Sequence, residues 1–336
     1  MMLNFKQSKN SRSARQKILK LYKNRGETPL ECLNRFKSDN PEYKDEKMTY
    51  AGRLDPLAEG LLLILVGDEC KNKPRHPHCH YCTVFSLFNR IISFLPKNME
   101  AYMKSILTIK TRWQCGCMGK EKYLGLDKEY KVDVLFGFAT DTYDVLGLVI
   151  PAKAGIQTDL INLDSHLHGN DTIKELLNSF IGRFSQKYPP YSSKYFNKAR
   201  SGELKEDEIE KKDVEIKSIK FLGQRTISKN DLEKYIIESV NLVKGDFRQQ
   251  KIIEAWHSVF ARSKATKQSS VGYIRANSRI RKTESFRVIT IRVNCTSGTY
   301  MRSLANSIGE KVGIPALALN IKRTRIGKLP RGSTSR

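Results

Sequence analysis

Residues 50–66 constrain the fold of this 336-residue chain more than any other stretch: Tyr50-Ala51-Gly52-Arg53-Leu54-Asp55-Pro56-Leu57-Ala58-Glu59-Gly60, then Leu61-Leu62-Leu63-Ile64-Leu65-Val66. An unbroken apolar run of this length, bounded by Gly60 and by Gly67-Asp68, reads as a buried strand. Asp55 therefore sits on a tight, glycine-flanked loop at the mouth of that strand, where a rigid scaffold can present a catalytic carboxylate. Asp55-Pro56 is also an ordinary turn former, so spacing alone leaves both readings open.

Further elements follow from periodicity and capping. Thr28-Pro29-Leu30-Glu31 is a helix start, with Thr28 as cap, Pro29 in the first position and Glu31 closing a capping box. Leu30, Leu33 and Phe36 are expected on its apolar stripe. Glu129 to Phe136 alternates as a strand, with Tyr130, Val132, Val134 and Phe136 on one face. Tyr130 is the polar-tipped member of that row, and the residues alone make it a core tyrosine with a bonded hydroxyl. Phe286 to Cys295 is a second strand, with Ile289, Ile291, Val293 and Cys295 inward. Ser297-Gly298-Thr299 breaks it, and a helix follows with Met301, Leu304, Ala305, Ile308 and Val312 buried and Gly313 as terminator. Tyr300 and Arg302 fall in its first turn, where backbone amides and a guanidinium favour an anion.

Several of these strings together resemble one family. Gly52-Arg53-Leu54-Asp55-Pro56-Leu57-Ala58-Glu59-Gly60 resembles the catalytic motif of pseudouridine synthases of the TruB type, Gly-x-Leu-Asp-Pro-x-Ala-x-Gly. Lys128-Glu129-Tyr130-Lys131-Val132, with Gly137 and Thr140-Asp141-Thr142, resembles the family's tyrosine strand and the turn after it. Pro189-Pro190-Tyr191-Ser192-Ser193-Lys194 resembles its proline-tyrosine-serine loop, and Ser297-Gly298-Thr299-Tyr300-Met301-Arg302-Ser303-Leu304 its Gly-Thr-Tyr-x-Arg segment. Lys23-Asn24-Arg25-Gly26-Glu27-Thr28 is a weaker match to Lys-Pro-x-Gly-x-Thr. The resemblance covers roughly residues 20–70, 120–222 and 285–327.

The resemblance implies an α+β pseudouridine synthase catalytic fold, a mixed and largely antiparallel sheet with flanking helices and an RNA-binding cleft. The catalytic domain is expected over 20–327, after a basic disordered arm at 1–19 and before a basic tail at 328–336. Two stretches look inserted, about 74–119 and 250–282. The run Trp256 to Gln268, and Val149 to Gln157, resemble translated bacterial interspersed repeats and are expected to be passive loops, which cost little closure entropy. The first insertion carries Cys79 and Cys82 at zinc-knuckle spacing, but Cys115 and Cys117 are too close for the usual partner knuckle, so no metal site is expected.

A net charge of +25 points to a polyanionic partner, nucleic acid first. No run approaches the length of a membrane span, and residues 1–20 lack the apolar core of a signal peptide. Seven cysteines without a secretory signal fit a reduced, cytoplasmic setting.

Pseudouridine formation breaks the N1–C1′ bond of uridine and rejoins C1′ to C5, and the resemblance implies no cofactor. It makes Asp55 the carboxylate at C1′, by attack on C1′ or by abstraction of a ribose proton. It makes Arg302 its cationic neighbour and places Tyr130 under the flipped base. Tyr300 and Ile321 would shape the pocket, and Lys194 would contact RNA. The base must leave its stack, at a cost of a few kcal/mol. Tyr50 stands where the family carries a histidine, and it can stack in the vacated place. Arg53 precedes Leu54-Asp55 as in other pseudouridine synthase branches. The implied partner is the T-arm stem-loop of tRNA, uridine-55 the target, and the protein a monomer. Many relatives carry a PUA-type domain after the region matching Lys322-Arg323. This chain ends at Arg336, so affinity is expected from the catalytic domain, its insertions and its basic tails. The alternatives are a catalytically impaired RNA-binding or RNA-folding relative, the same chemistry on another RNA, and a zinc-stabilised nucleic-acid-binding module.

Overall fold

The computed structural model describes residues 18–71, 119–150, 170–261 and 285–327. The cysteine pairs at 79/82 and 115/117, most of the arm, the first insertion and the tail lie outside the described residues.

Among the described residues eight strands form one sheet. They are β1 (Ile18–Lys23), β2 (Met48–Ala51), β3 (Glu59–Val66), β4 (Lys128–Phe136), β5 (Gly182–Lys187), β6 (Lys211–Ser228), β7 (Ser285–Cys295) and β8 (Ala316–Ile326). The order is β1-β3-β8-β4-β7-β6-β5, with β2 also paired to β3. Among the described strands only β3 and β8 pair in parallel, over Glu59↔Lys322 and Gly60↔Arg323. Among the described residues seven helices flank or join the strands: α1 (Pro29–Asp39), α2 (Gly119–Leu124), α3 (Asn170–Asn178), α4 (Phe196–Ser201), α5 (Lys229–Leu242), α6 (Gln249–Ala261) and α7 (Met301–Val312). The mixed, largely antiparallel sheet expected from the sequence is present.

Burial explains the sequence patterns. β3 is continuously apolar because both its faces are covered: Leu62, Ile64 and Val66 pack against α1, while Leu63 and Leu65 pack against Tyr123, Leu126 and Ile326. Gly60 has φ 113°, and a Cβ there would lie 2.3 Å from the Arg323 carbonyl oxygen, so only glycine permits the β3–β8 approach. On one face of the central strands, Tyr130, Val132, Val134 and Phe136 meet Ile289, Ile291, Val293 and Cys295 beneath α7 and α3. On the opposite face, Leu135, Val288, Leu317 and Leu319 meet α5 and α6.

Four local expectations need correction. The first strand begins at Ile18 with Leu19 buried, inside the stretch expected to be an arm, because β1 pairs with β3 from Ile18↔Leu65 onward. Leu30 is 56% exposed; the buried stripe of α1 is Cys32, Leu33 and Phe36, although the capping box is as expected. Trp256 does not open a passive loop. It lies in α6 with Ile252 and Phe260, all fully buried, and its ring packs on Phe138 at 5.2 Å. Val149 likewise packs against the second core and bridges to Thr140.

Candidate active site

Asp55 lies on the Gly52–Ala58 loop between β2 and β3, in a turn closed by Ala58 N–H donating to the Asp55 carbonyl at 3.0 Å. Two buried cations hold this loop through its carbonyls. Lys23, at the end of β1, donates from Nζ to the carbonyls of Pro56 (3.0 Å), Ala58 (2.6 Å) and Asn24 (3.0 Å). Burial pushes the Lys23 ammonium down to about 8, with Glu27, Cys32 and Asp55 partly opposing the shift. Arg323, on β8, donates from Nε to the Leu61 carbonyl (2.6 Å), and from its terminal nitrogens to the carbonyls of Arg53 (3.4 Å) and Gly52 (3.3 Å). Through these bonds the two cations engage the loop carbonyls of Gly52, Arg53, Pro56 and Ala58.

Arg302 sits in the first turn of α7 and grips Asp55 with two prongs, Nε to Oδ2 at 2.8 Å and Nη2 to Oδ1 at 3.0 Å. Its side chain is 4% exposed, whereas that of Asp55 is 37% exposed. The guanidinium is thus fixed inside while the carboxylate faces outward. The remaining Arg302 donors go to the carbonyls of Thr142 (2.9 Å) and Tyr191 (3.3 Å). Asp144 Oδ2 lies 3.7 Å from Arg302 Nε. Burial pushes the Asp144 carboxyl up, and Arg302, the Thr142 hydroxyl and the Leu146 amide oppose that.

Asp55 lies where two concavities meet. The open one, about 600 Å³, is lined by Tyr50, Arg53 and the Tyr191–Lys198 segment among others. The inner one, about 60 Å³, is lined by Thr142, Asp144, Leu146, Arg302 and Arg248 among others. Tyr191, Phe196 and Phe247 border both.

The expected site residues divide into three groups. Asp55 and Arg302 are in direct contact, and Tyr50 and Arg53 line the open cleft beside them. Lys194 reaches the same cleft already engaged, with Nζ 2.6 Å from Glu210 and within 5.5 Å of the Tyr188 and Tyr195 rings. Tyr130, Tyr300 and Ile321 line neither concavity. Tyr130 and Ile321 are core residues, each 7% exposed. Tyr300 precedes α7; Gln186 clamps its backbone on both sides, and its ring lies 5.5 Å from that of Tyr188. Burial pushes both tyrosine hydroxyls up, and the Asp55 charge adds to the effect.

Sequence reading missed Asp144, Lys23, Arg323 and Arg248. Asp144 carried a signal, two residues beyond Thr140-Asp141-Thr142. Arg248 carried none. It follows α5 at a left-handed φ of 62°, uncommon for a side chain of this size. Its guanidinium covers the Tyr191 ring at 4.3 Å and donates to Asp141 Oδ2 at 2.8 Å. It thereby ties together the two loops whose carbonyls receive Arg302.

A family model described as "TruB family pseudouridylate synthase (N terminal domain)" matches residues 117–239, the part that carries Tyr130, Asp144 and Lys194. The tRNA pseudouridine synthase B of Aquifex aeolicus is 26% identical over 307 residues, covering 91% of this chain and 67% of that protein. The chain is thus similar to TruB-type pseudouridine synthases over most of its length. The tRNA pseudouridine synthase B of Blochmanniella pennsylvanica is 29% identical over 217 residues, 63% of this chain and 58% of that protein. Among solved structures, a Cbf5-Nop10-Gar1 complex matches with a TM-score of 0.42 and 15% identity, over 95% of this chain and 51% of the matched chain. These similarities support a pseudouridine synthase, an isomerase of uridine in RNA.

Proposed function

We propose that Asp55 carries out the isomerisation on the T-loop uridine of tRNA, position 55 in tRNA numbering, after the base has flipped out of its stack. The observation that carries this reading is the Asp55–Arg302 pair. It is an outward-facing carboxylate gripped from behind by a buried guanidinium, at the point where cleft and inner pocket meet. Such a carboxylate is oriented before substrate arrives, so little of the binding energy goes into positioning it. It acts at C1′ either as nucleophile or by taking a ribose proton, and rejoining C1′ to C5 then requires the uracil to turn while held.

Arg302 keeps the carboxylate aimed. Tyr50 and Arg53 line the cleft through which the RNA loop enters, with an exposed guanidinium for phosphate and a ring for stacking. Tyr130, with Ile321 beside it in the core, is the stacking partner for the detached base. In the free protein its ring is covered, so this role requires the site to open when RNA binds. Tyr300 bounds the same space from the start of α7, and Lys194 exchanges Glu210 for phosphate.

The test is to incubate the protein with a T-arm stem-loop and map pseudouridine by carbodiimide adducts that stop primer extension. A stop at the uridine matching position 55 is expected with wild type and not with Asp55→Ala. Modification by both proteins would sink the role of Asp55. Tight binding without modification would move the assignment to another RNA.

A further inference from the structure

The face of the sheet opposite α7 carries a row of cations that the catalytic reading does not use. Lys131 on β4 stands directly opposite Arg292 on β7 and Lys322 on β8, and Arg292 stands directly opposite Lys220 on β6. These residues alternate along their strands with Tyr130, Val132, Ile291, Val293, Ile219 and Ile321, all in the core beneath α7. The cations therefore point to the other side. Further along that side, α5 and α6 cover Leu135, Val288 and Leu317, whereas Lys131, Arg292 and Lys220 are exposed.

Like charges directly opposite one another on neighbouring strands are destabilising. Among the described residues the flanking acids do not neutralise this row. Lys322 at its end is already taken, 3.2 Å from Glu59 and 5.3 Å from the Tyr22 ring. Glu129 goes to Arg325 (3.5 Å) and to the Thr324 hydroxyl (2.9 Å). Asp133 goes to Arg225 (3.7 Å) and to the Thr290 hydroxyl (2.7 Å). Asp127 goes to Lys217. The acids outside the described residues are Glu100, Asp159, Asp164 and Glu284.

We propose that Lys131, Arg292 and Lys220 form a second RNA-backbone site, on the face of the sheet opposite the catalytic helix. It would take phosphates of the substrate RNA that lie outside the loop in the cleft. Adjacent strands lie about 4.8 Å apart, so the three cations span on the order of 10 Å, enough to meet consecutive phosphates of one strand. The charge complementarity is with a polyanion, and the chain's +25 net charge has the same sense. Phosphates bound here would remove the repulsion that the free protein tolerates. The proposal rests on the reading of the chain as an enzyme of tRNA, and its test separates the two.

The experiment compares wild type with the triple variant Lys131→Gln, Arg292→Gln, Lys220→Gln. Affinity for full-length tRNA is measured across a potassium chloride series, and turnover is measured on an isolated T-arm stem-loop. The variant should bind full-length tRNA roughly tenfold or more weakly at low salt. Its salt slope should fall by about 2–3. Turnover of the stem-loop should be unchanged, and the thermal midpoint should hold or rise because repulsion has been relieved. An unchanged tRNA affinity and salt slope would overturn the proposal and leave the face to an acidic protein. Equal losses on stem-loop and full-length tRNA would also overturn it, by placing the effect in the cleft. If wild type binds tRNA but modifies nothing, the catalytic reading fails while the salt slope still reports on this face.

Discussion

At the scale of single residues, the site depends on charges held by carbonyls. Arg302 is buried against Asp55 and Asp144, so truncating it would leave carboxylates without their counter-charge. Arg302→Ala is expected to cost about 3–5 kcal/mol of stability. Arg302→Lys keeps the charge but not the two-pronged grip. A misaimed carboxylate should then lose about 100-fold in kcat, with RNA affinity nearly intact, as single-turnover assays would show. Lys23 makes a separate, pH-dependent prediction. Its pKa falls from the usual 10.5 to about 8 on folding, so the protonated amine costs stability, and that cost is relieved as pH rises from about 8 to about 10.5. Denaturant titrations of wild type and Lys23→Met should show their stability difference moving in wild type's favour across that window. A flat or opposite trend would contradict the burial of this amine. Asp55 and Arg302 were legible in the sequence because each lies in a dense local string at the end of a strand. Lys23 and Arg323 were not, because their partners are loop carbonyls brought close only by β1 and β8.

At the scale of elements, glycine and aromatic positions fix where the loops can go. Gly60→Ala would drive a Cβ into the Arg323 backbone at the β3–β8 junction. It is expected to destabilise by more than 1 kcal/mol and to lower turnover by shifting the Asp55 loop, measurable by thermal unfolding and kinetics together. Strand and helix types were readable wherever period and caps agreed, as in β4, β7, α1 and α7. The Trp256 segment was misread because its string resembled a translated repeat, whereas its helical spacing Ile252, Trp256, Phe260 matches the face that α6 buries. Trp256→Ala should therefore cost about 3–5 kcal/mol, like other emptied aromatic core positions. A surface-like loss below about 0.5 kcal/mol would contradict its packing on Phe138. The same helical pair carries Arg248 to Tyr191 and Asp141. Arg248→Ala should lower kcat more than it raises KM, since it loosens the loops behind Arg302 without removing a group from the open cleft.

At the scale of the whole molecule, one sheet separates two kinds of surface. Its α7 side supports the aimed carboxylate; among the described residues the other side is partly covered by α5 and α6 and exposes Lys131, Arg292 and Lys220. The composition signalled a polyanion partner but not where it would bind, because only strand register places Lys131, Arg292 and Lys220 side by side. Among the described residues no helix is long and apolar enough to cross a membrane. We propose that this scaffold turns uridine into pseudouridine through Asp55. The most direct measurement is tritium release from a T-arm RNA carrying 5-tritiated uridine, since the C5 hydrogen leaves only when C5 is rejoined to the ribose. Wild type should release tritium, and Asp55→Ala should release none while binding the RNA with similar affinity; release by the variant at a comparable rate would rule out Asp55 as the catalytic carboxylate.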